Sequence, residues 1–341
     1  MNHRNFSIDF FRFIFMLAIC SLHFYFIPFF THGYLAVEFF FILSGFFIYQ
    51  TYSSKRISIL NYFVNRSKKL IPKFLIVLSA FALFNLTVFL FTSYNFEELL
   101  CSGIKSIDDI FLLSGVGIFP DKSILGPAWY ISVLLWGGMW LYALLIYNIR
   151  FSMIVLFPLT LLLWLTFVRH NGGHIELWHT DVCFYMPFIR GISDMIVGIF
   201  VGHVWNLKKN SIETKYSLFF NIAAILSLFL IVSLFFVHED LDIYSIVLIP
   251  FLIIGCMNKN GWFQKCLSYS VFGYLGKISY DMYIVHWPII LFIKLFLLKN
   301  AFFQSISIYI IYALYLGAVI LVSLSLDYVY SKKIQKYIKS F

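Results

Sequence analysis

Residues 8–23 read IDFFRFIFMLAICSLH, an apolar run that contains one arginine and one histidine. Continued to about residue 27, this run is long enough to cross the roughly 30 Å hydrocarbon core of a bilayer as a helix. Helical geometry then places Arg12 and His23 within about 20° of each other on one face, about 16 Å apart along the axis. Because an unpaired arginine in hydrocarbon costs several kcal/mol, both residues are functional candidates.

The rest of the chain has the same apolar character. Of its 341 residues, 61% are hydrophobic and 12% are charged, a balance that excludes a water-soluble domain with a single core. We expect an all-α, polytopic membrane helix bundle of about ten transmembrane helices. The apolar segments lie near residues 8–27, 34–52, 73–93, 126–148, 152–169, 188–206, 215–237, 241–257, 275–298 and 305–330. Residues 1–341 are therefore expected to form a single membrane domain, with no appended soluble domain.

The net charge of +9 indicates membrane topology rather than a nucleic-acid partner. With ten spans, most Lys and Arg residues fall on the segments of one side, including a dense basic loop from Ser53 to Lys73 with the turn-forming Pro72. The loops of the other side carry only Lys105, Lys122, Arg169 and Lys299. The positive-inside rule then predicts that both termini are cytoplasmic. The expected partner is the lipid bilayer, not nucleic acid.

Neither the cysteines nor the histidines predict a metal site. The five cysteines have no metal or redox spacing, and the sequence leaves open whether Cys101 and Cys183 pair. One loop collects three histidines and two acids, but their spacing matches no zinc motif, so we expect a solvated loop. These loop residues are His170, His174, Glu176, His179 and Asp181.

A few polar residues fall within or beside the apolar segments, namely Asp9, Arg12, His23, Glu38, Arg190, Asp194, Asp281, His286, Lys294 and Asp327. Several have a local explanation. Arg190 and Asp194, four residues apart, can neutralise each other within one helix, and Asp9 can do the same for Arg12. His23 has no such neighbour. It is either a general base for a hydroxyl group or a histidine that bonds a backbone carbonyl.

Two further groups of polar residues could belong to the same site. Glu38, near the start of the second span, reaches a depth similar to that of His23 if the connecting loop is short, and could orient its imidazole. A later segment carries Ser279, Tyr280, Tyr283 and His286 just before Pro288, which is expected to kink its helix. This segment is either a second polar patch on the same cavity or a kink satisfied by its own hydroxyls.

Five motifs, in this order, resemble the acyltransferase-3 superfamily of bacterial integral-membrane O-acyltransferases over nearly the whole chain. They are Arg12 and His23 with ten residues between them, GYLAVEFFFILSGF at 33–46, FVNRSKKLIP at 63–72, WYIS at 129–132 and GKISYDMYIVHWP at 276–288. Two positions depart from the family pattern. Lys69 stands where the family usually has arginine, and residues 133–135 are apolar where many members have a glutamate pair.

The resemblance implies transfer of an acyl group, most often acetyl from acetyl-CoA, to a hydroxyl of a cell-envelope or exopolysaccharide sugar. The acceptor would be a polysaccharide or a lipid-linked glycan, and the location the bacterial cytoplasmic membrane. Acetyl-CoA would be a substrate, with no bound cofactor. The family's basic loop, here Arg66, Lys68 and Lys69, would bind the donor phosphates, and Arg12 would help to bind the donor or stabilise charge within the tunnel. His23, oriented by Glu38, would act as general base or carry the acyl group.

Two alternatives remain open from the sequence. A transporter or flippase of a polar or glycan substrate would use buried Arg12, His23 and Glu38 as substrate-binding or proton-relay groups. A membrane acyltransferase acting on a small molecule or a peptide would carry the same motifs. Turnover of acetyl-CoA by the purified protein would distinguish a transporter from an acyltransferase, whether the acyltransferase acts on a glycan or on a small molecule or peptide.

Overall fold

A computed structural model describes residues 4–24, 31–91, 107–117, 123–176, 180–181, 184–237, 239–297, 300 and 305–334. Cys101 and Cys183 lie outside these residues. The helices are α1 (Phe6–His23), α2 (Leu35–Lys55), α3 (Ile59–Phe91), α4 (Ala128–Tyr147), α5 (Ile149–Asn171), α6 (Met186–Glu213), α7 (Ser217–Leu234), α8 (Ser245–Met257), α9 (Trp262–Cys266), α10 (Ser270–Phe292) and α11 (Ile308–Val329).

Short elements complete the described part of the chain. The strands β1 (Thr180–Asp181) and β2 (Phe184–Tyr185) pair antiparallel just before α6. A 3₁₀ turn, Glu239–Tyr244, leads into α8, and π-helical turns at Ile293–Leu297 and Tyr330–Ile334 extend α10 and α11.

Ten helical segments among the described residues are long and apolar enough to cross a membrane. They are α1 to α7, α8 together with its 3₁₀ turn, α10 and α11. The expected all-α bundle of about ten transmembrane helices is therefore confirmed. Since every backbone polar group in hydrocarbon needs an internal partner, helices are the form that such apolar segments adopt.

The bundle has a buried centre and an apolar perimeter. In the apolar 18-residue stretches of α1, α2, α4, α6 and α10 more than half of the residues are buried, whereas in those of α3, α5, α7 and α11 less than a third are buried. The perimeter helices expose large apolar side chains such as Leu83, Leu162, Phe229 and Leu314. This is the pattern of a bundle whose outer helices face lipid, and it places the polar residues of the central helices in the interior.

The basic segment at 53–73 differs from the expectation. We predicted a loop turned by Pro72, but α3 begins at Ile59 and runs through Pro72 without ending. The segment carries six Lys and Arg residues, so its hydropathy is lower than that of the predicted spans. Packing explains the helix, because Tyr62 stacks on Tyr142 of α4 with ring centroids 4.1 Å apart.

Helices α2 and α6 run parallel at the centre and approach each other closely. Two glycines make this approach possible, because a Cβ at Gly45 would collide with the backbone of Met195, and one at Gly198 with the backbone of Ile42. The contact fixes the depth of α2 relative to α6. It thereby determines which polar side chains at the start of the two helices can meet.

An ion-pair cluster ties α3, α10 and α11 together. The Lys73 Nζ lies 2.6 Å from an Asp281 carboxylate oxygen and 2.9 Å from one of Asp327, and the Lys277 Nζ lies 2.5 Å from the other Asp327 oxygen. Lys73 is the last residue of the segment that we predicted as a loop. Both acids therefore have a structural role between helices.

Candidate active site

A cavity of about 400 Å³ lies where α1 ends and where α2, α4 and α6 begin, which we call the His23 end of the bundle. It is lined by Ile19, Leu22, His23, Tyr34, Val37, Gly126, Pro127, Trp129, Glu176, Arg190, Tyr283 and Trp287. Mostly apolar and aromatic walls with a few polar groups are typical of a small-molecule site. The cavity combines a histidine, a carboxylate and a guanidinium group.

His23, the last residue of α1, is held by its own helix. Its Nδ1 lies 3.0 Å from the carbonyl oxygen of Ile19. Because a carbonyl can only accept, Nδ1 must carry the proton and donate it. The imidazole then has its lone pair on Nε2, the arrangement that a general base or a nucleophile requires. The two interpretations of His23, a general base and a histidine bonded to a backbone carbonyl, are thus compatible, since the bond to Ile19 leaves the lone pair of the neutral ring on Nε2.

His286 and Tyr283 of α10 lie beside His23. The ring centroids of His23 and His286 are 5.0 Å apart, and those of His23 and Trp287 are 5.3 Å apart with the rings perpendicular. The His286 Nδ1 donates to the carbonyl of Tyr283 at 2.6 Å, and the Tyr283 hydroxyl donates to Pro127 at 2.7 Å. The part of the α10 segment around these residues therefore belongs to the cavity of His23.

Ser279 and Tyr280 of the same segment lie elsewhere. The Ser279 hydroxyl donates to the carbonyl of Gly276 within α10, and the Tyr280 hydroxyl donates to the carbonyl of Leu70 in α3 at 2.6 Å. The first bond therefore lies within α10, and the second attaches α10 to α3. Of the four residues predicted as a second patch, two line or flank the cavity and two make backbone contacts.

Glu38 does not orient His23 in the structure. It is fully buried and accepts hydrogen bonds from Arg190 of α6, one of them from Nε at 2.6 Å. The Arg190 Nη2 also donates to the carbonyl of Tyr34 at 3.2 Å. The expected pairing of Arg190 with Asp194 within one helix is therefore corrected, because the parallel contact of α2 and α6 brings a second carboxylate nearer. Asp194 lies behind the pair and interacts with both residues.

Arg12 has the local partner that the sequence suggested. Its Nη1 lies 3.4 Å from the carboxylate of Asp9, which also bonds Arg4. The Arg12 side chain keeps 31% of its surface exposed, so one carboxylate shared with Arg4 does not enclose it. Arg12 also interacts electrostatically with Tyr130 of α4.

Arg66 reaches the middle of the bundle from α3. Its guanidinium donates to the hydroxyls of Tyr62 at 2.9 Å and Ser44 at 3.3 Å, and it packs on Gly138. Ser44 and Gly138 are central residues of α2 and α4. Among the described residues, the hydrogen-bond partners of Arg66 are neutral hydroxyls, so its charge is available to an anion.

Lys68 and Lys69 behave differently from Arg66. Both side chains are exposed on the surface of α3. They lie within three residues of Arg66 on the same helix, so they add positive charge around its entry to the bundle. The expected basic group is therefore present, but on a helix and with one member, the half-buried Arg66, in contact with the central helices.

A row of aromatic rings connects the two arginines with His23. Tyr130 interacts electrostatically with Arg12 and Arg66, and its ring centroid lies 5.0 Å from that of Tyr283. The ring centroids of Tyr283 and His286 are 5.6 Å apart, and His286 lies beside His23. Polar aromatic side chains thus extend from the arginines to the cavity through α4 and α10.

Sequence reasoning missed several residues at the His23 end. The Tyr34 hydroxyl donates to the buried Asp242 at 2.6 Å, and the His174 Nδ1 lies 3.0 Å from the same carboxylate oxygen. Burial and this bond to Asp242 raise the pKa of Tyr34, so its hydroxyl remains a donor. We expected His174 and Glu176 in a solvated loop, but His174 bonds Asp242 and Glu176 lines the cavity. Tyr34 was missed because a tyrosine in an apolar segment does not stand out as polar. The partners of His174 and Glu176 were missed because the spacing of loop residues does not predict their contacts.

Comparisons with known proteins show which family the chain is similar to. The chain is 24% identical over 299 residues to the O-acetyltransferase OatA of Staphylococcus aureus strain NCTC 8325 / PS 47, an alignment that covers 77% of this chain and 47% of that protein. OatA of strain COL matches to the same extent. The chain thus spans about half the length of the curated relatives it matches. No solved structure matches the chain significantly.

The family comparison covers more of the chain. An acyltransferase domain matches residues 5–328, from the start of α1 to the end of α11. The match includes His23, Arg66 and the cavity at the His23 end. The chain is therefore a member of the acyltransferase-3 family.

Proposed function

We propose that this protein transfers an acyl group, acetyl from acetyl-CoA, to a hydroxyl of a cell-envelope or exopolysaccharide sugar in the bacterial cytoplasmic membrane. One observation carries the proposal: His23 lines the cavity together with Glu176 and Arg190, and its Nδ1 is bonded to the carbonyl of Ile19, so that the lone pair of the neutral ring is on Nε2. Family membership supports acyl transfer as the reaction. The relatives named O-acetyltransferase support acetyl as the group and oxygen as its acceptor.

The donor would enter from the end of the bundle opposite to His23. Arg66 has neutral hydrogen-bond partners, and Lys68 and Lys69 lie near it on the surface of α3. Guanidinium groups bind phosphate oxygens with charge-assisted hydrogen bonds, so this region suits the phosphates of CoA. The concentration of Lys and Arg at this side favours a cytoplasmic position for it and for both termini.

The long arm of CoA would extend along the row of Tyr130 and Tyr283 towards His23. Arg12, near the start of this row, would attract the donor or stabilise charge along it. The acceptor, a polysaccharide or lipid-linked glycan, would enter the cavity at the His23 end. Donor and acceptor would then meet at His23 from opposite sides, and only the acyl group would cross.

In direct transfer, Nε2 of His23 takes the proton of the sugar hydroxyl while its oxygen attacks the thioester carbonyl. The C–S bond breaks, the sulfur leaves with its electron pair, and the imidazolium returns the proton to give CoA thiol. In the carrier route, Nε2 attacks the carbonyl first, the C–S bond breaks and the sulfur leaves with its electron pair as CoA thiolate. The sugar oxygen then takes the acyl group from the imidazole, and the proton that it gives up balances the thiolate as CoA thiol. Both routes give one ester and one CoA thiol.

The central test is transfer of labelled acetyl from acetyl-CoA to a glycan by the purified, lipid-reconstituted protein. General acid–base catalysis contributes about 10²- to 10⁴-fold, so His23→Ala should lose at least about 100-fold in rate. His203→Ala is the matched control, because His203 bonds Tyr49 at 2.7 Å on the α2–α6 contact, away from the cavity. Full transfer by His23→Ala would refute the proposal.

The same preparation distinguishes the two routes. Labelled acetyl-CoA is added without acceptor, and the protein is then isolated. Label on the wild type that is absent from His23→Ala would indicate an acyl-histidine, whereas unlabelled protein with normal turnover would indicate direct transfer.

The donor assignment has its own test. Arg66→Glu should weaken acetyl-CoA binding at least tenfold, since it replaces a cation with an anion at the phosphate site. Lys55→Glu, an exposed basic residue at the end of α2, is the matched control for charge alone. Equal effects of the two variants would mean that the basic residues act only through topology or long-range attraction.

A further inference from the structure

Arg190 lines the cavity, and hydrogen bonds to neighbouring residues hold its guanidinium in one orientation. The residue is 2% exposed, and its Nε and Nη2 donate to Glu38 and to the carbonyl of Tyr34. These bonds use one edge of the guanidinium, which leaves Nη1 as the nitrogen for the cavity that Arg190 lines. A bound and rigid guanidinium recognises a partner with less loss of conformational freedom than a flexible one.

Glu176 contributes the opposite charge to the same wall. It lies on the segment before β1 and interacts electrostatically with Arg190 and with Tyr34. A carboxylate accepts hydrogen bonds and a guanidinium donates them. A single hydroxyl can donate to the carboxylate and accept from the guanidinium, so one hydroxyl of a ligand can bond both groups. A ligand with only one hydroxyl would then have none left to react at His23.

Aromatic rings complete the surroundings of this pair. Trp129, Trp287 and Tyr34 line the cavity, and the Arg190 guanidinium lies 5.9 Å from the Trp129 ring and 5.8 Å from the Tyr34 ring. Flat aromatic faces cover the apolar C–H face of a sugar ring while the polar groups bond its hydroxyls. The volume of about 400 Å³ is at the lower end of small-molecule pockets, so the cavity suits a short part of a glycan.

We propose that Glu176 and Arg190 form the acceptor subsite, which selects a neutral ligand with neighbouring hydroxyls. One hydroxyl bonds the pair, and a hydroxyl nearby on the same ring reaches Nε2 of His23. Glu38 is a positioning residue, because it acts by holding Arg190. This inference rests on the proposed acyl transfer and assigns the residues that choose its acceptor.

The test compares two acceptors of similar size in the reconstituted protein. Methyl β-D-glucopyranoside has neighbouring hydroxyls, and cyclohexanol has one hydroxyl. Glu176→Gln should lower the ratio of kcat/KM for the sugar to kcat/KM for cyclohexanol about tenfold or more, through a higher KM for the sugar. The apparent affinity for acetyl-CoA should not change, because the donor enters from the other side.

Two further variants make the result specific. Asp240→Asn removes an exposed carboxylate at the same end of the bundle, and it should leave the ratio at the wild-type value. Arg190→Lys keeps the charge but loses the planar fork, so it should lower the ratio as well. An equal loss for both acceptors in Glu176→Gln, or an unchanged ratio, would overturn the subsite.

A binding measurement separates this inference from the proposed function. Saturation-transfer NMR with methyl β-D-glucopyranoside, in the absence of acetyl-CoA, should give a signal for the wild type that is lost in Glu176→Gln. If the sugar binds in this way but no acetyl is transferred, the proposed function fails and the subsite stands. If transfer occurs and the binding signal survives in Glu176→Gln, the subsite fails alone.

Discussion

Replacing Glu38 with glutamine should destabilise the protein through Arg190, because the change removes the carboxylate from a buried ion pair while keeping its shape. Glu38 is fully buried, Arg190 is 2% exposed, and their hydrogen bonds join α2 to α6 at the His23 end. The variant leaves a buried guanidinium with a neutral amide in place of its anion. The contact between the two central helices is therefore the part of the structure that should loosen.

The size of the effect follows from the surroundings of the pair. Breaking a buried ion pair by removing one partner costs about 3–5 kcal/mol. Asp194 interacts with both residues and remains in the variant as a second carboxylate for Arg190. We therefore expect a loss at the lower end of this range, about 3 kcal/mol. The double variant Glu38→Gln/Arg190→Met has no buried guanidinium and should be more stable than Glu38→Gln alone.

The assay is the apparent melting temperature of the detergent-purified protein, followed by intrinsic fluorescence. Glu38→Gln should melt several degrees below the wild type, and the double variant should recover part of the difference. Asp240→Asn, an exposed carboxylate at the same end, controls for loss of one negative charge. A Glu38→Gln protein that melts with the wild type, or a double variant whose loss equals the sum of the two single losses, would refute the reasoning.

Three further predictions concern stability and are checked by the same melting assay. Gly198→Ala should prevent normal packing of α2 on α6 and yield little folded protein, whereas Gly317→Ala, which meets open space, should be neutral or stabilise by up to about 1 kcal/mol. Lys73→Met should lower the melting temperature because it leaves Asp281 buried without its cation, and adding Asp281→Asn should restore part of the loss. Burial raises the pKa of Asp109 to about 6, so the folded state binds this proton more tightly than the unfolded chain, and stability should fall as the pH rises from the usual carboxyl range to above 6. Asp109→Asn should make the melting temperature less dependent on pH in this range, and an unchanged dependence would contradict the assignment.

The helices could be predicted from the sequence because the bilayer leaves an apolar segment few alternatives. Length and hydropathy were sufficient for ten spans. The first half of α3 could not be predicted in this way, since its four basic residues lower its hydropathy and Pro72 is typical of a turn. Its helix is stabilised by tertiary contacts such as those of Tyr62 and Arg66 with α2 and α4, which hydropathy does not contain.

Within the site, contacts between neighbours on one helix could be predicted from the sequence, but contacts between helices could not. The Asp9–Arg12 contact was predictable because three residues separate the two on one helix. The partner of Arg190 was not, because Asp194 is its neighbour in sequence while Glu38 is brought to it by the close contact of two helices. Local spacing suggests which charges can pair, but the glycine contacts of α2 and α6 determine which pair forms.

The close contact of α2 with α6 also helps to distinguish a transporter from a transferase. A transporter with alternating access moves one part of its bundle against another around a central site. Here α2 and α6, two of the helices that frame the His23 cavity, are joined by the buried Glu38–Arg190 pair and by close backbone contact at Gly45 and Gly198. A movement of one of these helices against the other would break this ion pair in hydrocarbon. The proposed acyl transfer needs no movement of this kind, because in that proposal donor and acceptor approach His23 from opposite ends and only the acyl group passes between them. The rigid contact of α2 with α6 therefore favours group transfer at a fixed site over transport through it.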